Sequence, residues 1–408
     1  MKKIYGLMAL AMGVATLFSC SDDDKSAAAT GVQVTSAEST IKAAGGAANV
    51  EVDKNIVSAY STEGWLTVDF DGNKLSATAE RNNSRESRYS TVVIKASEND
   101  STIVSVSQLG TVFGYSDPAG NVVMDNAGGK AQRYVQHNAE FHVAKAPEWV
   151  TTSVKGDSVY LDIAPNTTGD MRKGQVCMES GNYADTLYVT QASFEEGIAG
   201  DYRLYFYNAV FDQQTNQITG FQNVYVNASI YSFGKSYTIS LPTAGFAWDC
   251  TYDKDNLALN FNSAKQIGVY SKYYPVYMVL FWEDNEKIKY DWSTEHQASF
   301  AFDMDEMNGQ MIKYGSLKGT VLGSPILGWL SMIAQGKPLS DNTALSVQYL
   351  WLDPMLIEDT TSEQEAKALT QLTPLKEARL MKQAKAMIFK KHLSGNFDGE
   401  FPTINFKK

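Results

Sequence analysis

The sequence predicts an all-β chain: two small β-sandwiches in tandem, then a β-meander closed into a barrel-like domain that carries C-terminal helices. Three observations predict it. Short runs of Val, Ile, Thr and aromatic residues alternate with polar ones at period two, which puts one row of side chains in a core and the other in water. Clusters of Gly, Asn and Asp separate these runs at short spacing. The landmarks of residues 44–108 return in the same order about 83 residues later. The 408 residues are enough for several domains, and aromatics at 12 % supply material for cores.

Residues 1–19 read as an address rather than as part of the fold. Lys2 and Lys3 form a positive start, and residues 4–18 form an apolar run too short to span a bilayer comfortably. The run ends Leu17-Phe18-Ser19-Cys20, where an ordinary cleavage site would show small residues in an A-x-A pattern. This ending resembles the lipobox of bacterial lipoproteins. The resemblance implies that Cys20 carries diacylglycerol and begins the mature chain. A nucleophilic sulfur can take a thioether lipid, and two acyl chains hold a protein where one is marginal. Ser21, Asp22, Asp23, Asp24 and Lys25 resemble the acidic export signal that follows the lipid cysteine in surface lipoproteins of Bacteroidetes. That implies an outer-membrane anchor with the protein facing outward. In the enterobacterial scheme an Asp directly after the cysteine suggests inner-membrane retention, but here Ser21 intervenes. The plain alternatives are a chance cysteine behind an ordinary signal, and a charged tether with no sorting role. Residues 20–30 are small and polar and read as a flexible tether.

Composition narrows the partners. The net charge of −11 argues against nucleic acid, whose phosphates need a basic patch. Of three cysteines, Cys20 goes to lipid, and Cys177 and Cys250 fall in different expected domains, so no disulfide framework is implied.

The repeat then gives the first two domains, over 31–110 and 111–193. Ala44-Gly45-Gly46 recurs as Ala127-Gly128-Gly129, and Gly64-Trp65-Leu66-Thr67 as Glu148-Trp149-Val150-Thr151. Asn83 matches Asn166, Arg88 matches Arg172, and the run ending at Gln108 matches the run ending at Gln191. In the first unit 49–52, 65–70, 91–95 and 103–106 alternate. About seven short strands in such a length fit an immunoglobulin-like sandwich. A Gly-Gly turn, a Trp starting a strand, an Asn-rich loop before an Arg and a closing V-x-Q together resemble the BACON family, whose name stands for Bacteroidetes-associated carbohydrate-binding, often N-terminal. The second copy departs more, with Pro147 before its Trp. The resemblance implies a surface or periplasmic lipoprotein connected with glycan use, its sandwiches serving as a binding arm or as spacers. Trp65 and Trp149 can be stacking platforms for sugar. Set in an alternating strand, they read as core.

From 197 the repeat stops and a third domain, 197–357, begins. Strong β runs lie at 202–207, 222–232, 236–241, 246–252, 256–261, 276–283, 299–304, 310–314 and 347–352. Asn308-Gly309 is a hairpin signal. About eight sequential strands with short links suggest a meander closed as a barrel, because closure removes exposed edges. Gly200-Asp201-Tyr202 resembles the first strand of calycin-like barrels. Residues 321–334, apolar but broken by Gly and Pro, read as a buried helix or a loop across the barrel mouth. C-terminal helices are expected over 358–395. Ser362 and Glu365 form a capping box. Thr373-Pro374 starts a second helix with an apolar stripe of Leu380, Met381, Ala384, Met387 and Ile388, and Gly395 stops it before a tail at 396–408.

Catalytic constellations are missing from this reading. His137, His142, His296 and His392 are scattered, and no metalloprotease, nucleophile-elbow, P-loop or C-x-x-C motif occurs. Asp303 to Gly309 places oxygen ligands at alternating positions, like half a calcium loop, but lacks the closing Glu and reads as a hairpin. Glu283-Asp284-Asn285-Glu286 could pair carboxylates for glycoside cleavage, yet reads as a solvated link. No cofactor or metal is expected. Sugar binding leaves aromatics at loop tips beside Asp and Asn. Of Trp248, Trp282, Trp292, Trp329 and Trp351, only Trp292 sits in a polar link, and Tyr290, Asp291 and Trp292 are the candidate glycan contacts. Trp248, Trp282 and Trp351 read as core. The expected function is non-catalytic glycan capture at the cell surface, in polysaccharide utilisation. A surface protein that binds a protein partner is the alternative, and a glycoside hydrolase comes third.

Overall fold

The computed structural model describes residues 31–117, 119–211, 218–284 and 287–370. The signal segment, Cys20, Ser21 to Lys25, and the helix and tail expected beyond 372 lie outside the described residues.

The first unit, up to Thr111, is a sandwich of eight strands. These are β1 (Val34–Glu38), β2 (Thr40–Ile41), β3 (Gly46–Val52), β4 (Ser58–Ser61), β5 (Thr67–Asp71), β6 (Lys74–Ala79), β7 (Arg88–Ser97) and β8 (Asp100–Gln108). One sheet runs β1-β3-β6-β5 and the other β2-β8-β7-β4. Alternation decides the packing. Val50, Leu75 and Ala77 from one sheet meet Val92, Ile94 and Val106 from the other, all nearly inaccessible to solvent. The turn into β3 needs glycine: Gly45 has φ +99°, and a Cβ there would lie 2.8 Å from the Ala79 carbonyl oxygen.

The second unit begins with a sandwich of the same plan. Its strands are β9 (Phe113–Tyr115), β10 (Val122–Met124), β11 (Gly129–His137), β12 (His142–Lys145), β13 (Val150–Lys155), β14 (Ser158–Ile163), β15 (Arg172–Ser180) and β16 (Tyr183–Gln191). The sheets run β13-β14-β11-β9 and β10-β16-β15-β12. Even the short parallel pair is repeated, β2 with β8 in the first sandwich and β10 with β16 in the second.

A π-helical turn, Phe194–Ile198, leads into the barrel. The strands that follow are β17 (Gly200–Phe211), β18 (Ile218–Phe233), β19 (Ser236–Leu241), β20 (Phe246–Asp253), β21 (Ala258–Asn262), β22 (Lys265–Tyr270), β23 (Tyr274–Asp284), β24 (Lys287–Tyr290), β25 (Gln297–Met307), β26 (Gln310–Lys318), β27 (Thr320–Val321), β28 (Ser324–Ala334) and β29 (Ala344–Glu358). β17, β18, β19, β20, β21, β25, β26 and β29 pair in that order, and β29 pairs back onto β17, closing the barrel. Its interior holds Phe206, Trp248, Phe261, Phe300, Trp329 and Trp351. Phe194 plugs one end, its ring 4.6 Å from that of Tyr237. Met171 and Ala192 of the second sandwich belong to the same apolar cluster, so sandwich and barrel share a core. The helix α1 (Glu363–Leu369) packs on the outside of the barrel, where Ala366 meets Tyr205, Tyr225 and Ile357. Its capping box forms: Glu365 N–H donates to Ser362 Oγ at 3.3 Å, and Ser362 Oγ donates to Glu365 Oε2 at 2.6 Å.

Four expectations need correction. Residues 324–334 are a strand, not a helix or loop. β28 lies between β23 and β29 and is apolar on both faces, so the period-two signal is erased. The meander holds only as far as β21. β22, β23 and β24 leave the barrel order before β25, and β28 does so before β29, with β23 and β22 beyond it. Asn166 corresponds to Asn82 rather than Asn83: each donates its Nδ2 to a carbonyl four residues on, Glu86 and Asp170. Trp65 lies in the turn before β5 rather than in the strand.

Candidate functional site

The residues that mark the repeat are drawn together inside each sandwich. Arg88 opens β7 opposite Gln108, which closes β8. Arg88 Nε donates to Gln108 Oε1 at 2.8 Å, and its guanidinium stands 4.3 Å from the Trp65 ring centroid. Fully buried Gln108 donates Nε2 to the carbonyls of Glu80 at 2.7 Å and Lys42 at 3.2 Å. The second sandwich repeats this. Arg172 Nε donates to Gln191 Oε1 at 3.0 Å, the guanidinium lies 4.2 Å from the Trp149 centroid, and Gln191 Nε2 donates to the Asp125 carbonyl at 3.0 Å. Both tryptophans pack half-buried against their cores. A ring already covered by its own arginine is part of the scaffold.

The first sandwich exposes a different aromatic surface, on the outer face of the β2-β8-β7-β4 sheet. Tyr60 pairs with Val93, and Val93 pairs with Ile103, making one apolar row across three strands. Tyr60 and Ile103 are 48 % and 68 % exposed, and Tyr89, farther along β7, is 59 % exposed. The same face carries Ser58, Thr91, Ser101, Ser105 and Ser107, placed by the strand pairing. Exposed tyrosyl rings among hydroxyls can stack on the apolar face of a sugar ring and exchange hydrogen bonds with its rim. Sequence reading missed this set. The signal was present as two tyrosines on the polar row of alternating strands.

The second sandwich uses that face otherwise. Tyr89 is the second residue of β7, opposite Ser107, and its counterpart in β15 is Lys173, opposite Thr190. Lys173 Nζ reaches the barrel strand β25, 3.0 Å from Asp303 Oδ2 and 2.7 Å from Asp305 Oδ1, and Thr190 Oγ1 donates to Asp303 Oδ1 at 3.0 Å. Here the face is a joint.

The three glycan candidates of the third domain lie together, Tyr290 as the last residue of β24 and Asp291 and Trp292 in the link after it. Trp292 is half-buried against the apolar layer around Phe281 and Leu330, and its Nε1–H donates to Asp341 Oδ1 at 2.8 Å. Tyr290 is 41 % exposed and stands edge-on to it, centroids 5.5 Å apart. Asp291 Oδ2 lies 2.9 Å from His296 Nε2, and Asp291 Oδ1 accepts from Ser293 N–H, so this carboxylate organises its own loop. Tyr290 is the group of the three that offers an open ring.

Other sequence candidates resolve into structure. Trp248, Trp282, Trp329 and Trp351 are all buried in the barrel core. Asp303 to Gly309 is a hairpin, with Asn308 and Gly309 at φ +53° and +81°. Among the described residues no group of three or more His, Cys, Asp or Glu side chains is placed to hold a metal ion. Within 283–286, Asn285 and Glu286 lie outside the described residues. Cys177 and Cys250 are free thiols, and burial pushes the Cys250 thiol up to about 12. A cleft of about 330 Å³ beside β17 is lined by Asp201, Lys313, Glu358 and Asp359. Its lysine is already committed, with Nζ 3.0 Å from Asp170 and 2.8 Å from Glu358. No described helix is long and apolar enough to cross a membrane.

Comparison with known proteins bears on the first sandwich. The family model BACON, described as "Putative binding domain, N-terminal", matches residues 54–109. No curated protein matches the chain. Among solved structures, a domain tandem from titin is 10 % identical at a TM-score of 0.30, covering 53 % of this chain and 94 % of that one. A xyloglucanase of Bacteroides ovatus, in complex with a heptasaccharide, is 20 % identical at a TM-score of 0.18, covering 23 % of this chain and 22 % of that one. A protein from Bacteroides thetaiotaomicron, solved by NMR, is 21 % identical at a TM-score of 0.18, covering 22 % of this chain and 98 % of that one.

Proposed function

We propose that this chain is a lipid-anchored surface protein that captures a neutral polysaccharide without cleaving it. The observation that carries the reading is the BACON match over 54–109, in the sandwich whose outer sheet face displays Tyr60, Tyr89, Val93 and Ile103 among hydroxyls. The chain's net charge of −11 disfavours polyanionic glycans, which it would repel. The barrel supports capture at a surface rather than inside a cup, because Phe206, Trp248, Trp329 and Trp351 fill its interior. The second sandwich is a diverged copy of the first, supported by its equal strand order and its repeated Arg–Gln–Trp contact. Its counterpart face is spent on the barrel, so in this reading it spaces and braces rather than binds. The anchor and the outward orientation rest on the sequence around Cys20.

The test is affinity electrophoresis of the mature chain, with Cys20 replaced by Ser, against soluble neutral polysaccharides. Retardation lost in Tyr60→Ala/Tyr89→Ala and kept in Trp292→Ala supports the sheet face. Retardation lost only in Trp292→Ala moves the site to the third domain. No retardation anywhere on the panel sinks glycan capture. The contiguous apolar row Tyr60-Val93-Ile103 then favours a protein partner. Surface proteolysis of intact cells tests the orientation, and full protection of the protein would overturn it.

A further inference from the structure

We propose that the tyrosine face of the first sandwich takes an extended, ribbon-like stretch of a neutral glycan of the cellulose or mannan type, laid along β7 with several sugars in contact at once. This rests on the capture reading and adds the shape of chain that the face selects. The outward row of β7 is Tyr89, Thr91, Val93 and then Lys95, because Ser90, Val92 and Ile94 alternate with them and turn inward. Beside Val93 stand Tyr60 of β4 and Ile103 of β8, one on each side. Tyr89 lies four residues back along β7, about 13 Å at roughly 3.3 Å per residue. Tyr60 is one strand over, so the two tyrosines leave the sheet about 14 Å apart. A single sugar ring covers one of them and cannot reach the other. Both exposed rings are used together only by a ligand of several linked sugars.

The track between the tyrosines suits the middle of such a chain. Thr91 pairs with Ser105, and Tyr89 with Ser107. Thr91 Oγ1 and Ser105 Oγ have no hydrogen-bond partner among the described residues, so both are open to a sugar hydroxyl. From Tyr89 to Val93 the outward row of β7 is uncharged, and so are its partners Tyr60, Ile103, Ser105 and Ser107. An acidic sugar laid here would give up water to its charge and meet no cation in return. Lys95, one step past Val93, is the first charge of the row. The sheet also sets the shape. β4 and β7 are hydrogen-bonded neighbours, so both tyrosines rise from one surface. A chain that touches both has to run straight. Equatorially linked hexoses form such ribbons, with apolar ring faces repeated along the chain for stacking. Axially linked glucans coil, turn their ring faces about an axis and meet one tyrosine at a time.

The test is calorimetric titration of the full mature chain, with Cys20 replaced by Ser. The probes are cello-, manno- and malto-oligosaccharides, each from the disaccharide to the hexasaccharide. In the cello or the manno series the hexasaccharide should bind about tenfold or more tighter than the disaccharide. The malto series should show no comparable gain. Tyr89→Ala should erase the gain with length, and Thr91→Asp, which sets a charge in the middle of the track, should erase it too. A hexasaccharide that binds no tighter than its disaccharide overturns the ribbon and leaves capture standing, because the face would still hold a sugar. An equal gain in the malto series does the same. A gain that survives both variants places the ribbon elsewhere and overturns the proposal. No binding in any series, with a neutral coiled glucan still retarding the protein in electrophoresis, overturns the ribbon alone. Silence in both measurements ends the capture reading and the ribbon with it.

Discussion

Lys173 of the second sandwich lies 3.0 Å from Asp303 and 2.7 Å from Asp305 on a single barrel strand, and Lys313 of the barrel answers it by reaching Asp170 of the sandwich at 3.0 Å. Asp303 and Asp305 are two residues apart on β25, so period two sets both carboxylates on the same side. Each lysine is nearly enclosed, with side chains 10 % and 13 % exposed. Around this reciprocal clamp, Met171 and Ala192 carry the barrel's apolar core into the sandwich. The polar pairs fix the angle of a joint that apolar contact alone would leave free to slide.

Replacing Lys173 with Met should therefore destabilise sandwich and barrel together. Methionine keeps the packing of the stem but leaves two aspartates facing each other. Breaking a fully buried pair costs about 3–5 kcal/mol. Asp303 and Asp305 keep 36 % and 52 % of their surface, so solvent screening reduces the expected cost to about 1–3 kcal/mol. Calorimetry should show the transition of this unit falling by several degrees while that of the first sandwich stays put. An unmoved transition would mean the clamp contributes nothing net.

The same pairs predict alkaline sensitivity. Burial works against the charge on Lys173, but the hydrogen bonds it donates to Asp305 and Asp303 more than offset this and hold its pKa above the ordinary lysine value. Lys313 is raised in the same way, against burial, by Glu358 and Asp170. A raised folded pKa gives stability that is complete below the unfolded value of about 10.4 and is lost as pH rises through the folded one. Tyr202, raised mainly by burial, adds loss in the same direction. Urea midpoints at about pH 8, 9.5 and 11 should hold, then drop. The Lys173→Met/Lys313→Met protein should start lower and drop less. Equal drops in the two proteins would acquit the lysines.

In the sandwiches the sensitive point is glutamine. Gln108 is wholly buried and satisfies Arg88 and two carbonyls at once. Gln108→Leu takes the partner from Arg88 Nε and from the Glu80 carbonyl, while the Lys42 carbonyl keeps the Gly45 N–H; leaving a buried polar group unpaired costs about 1–3 kcal/mol. The first sandwich should then melt well below its normal temperature. Gln191→Leu should do the same to the second unit. A Gln108→Leu protein with an unchanged first transition would show that the network is ornamental to stability.

Those glutamines also show why some features were legible in the sequence. A Gln that closes a strand, a Trp before one and a Gly-Gly turn are required by geometry, so they recur at fixed spacing and disclose the repeat. β28 was illegible for the opposite reason: two-sided burial removes the alternation that marks a strand. The face around Tyr60 and Tyr89 was hidden because nothing local separates a displayed tyrosine from a packed one. Trp292 stood out in a polar link, yet its indole N–H is tied to Asp341, which lies 49 residues on in the sequence. Contacts of that range leave no local trace.

The two thiols should differ sharply in reactivity. Cys250 is 7 % exposed within β20, among Tyr237 and its neighbours, and burial first, then the nearby Asp249 charge, pushes its pKa up to about 12. The thiolate is the nucleophile, so at neutral pH this group is both neutral and covered. Cys177 on β15 is half-buried and reachable. With Cys20 replaced by Ser, native protein treated with a thiol-alkylating reagent near neutral pH should take one label at Cys177. A second label, at Cys250, should follow only when the barrel unfolds. The rate of that second labelling then reports barrel opening, and Lys173→Met should accelerate it. Prompt labelling of Cys250 in the native protein would mean that the barrel core is open to solvent and that β20 is not held as described.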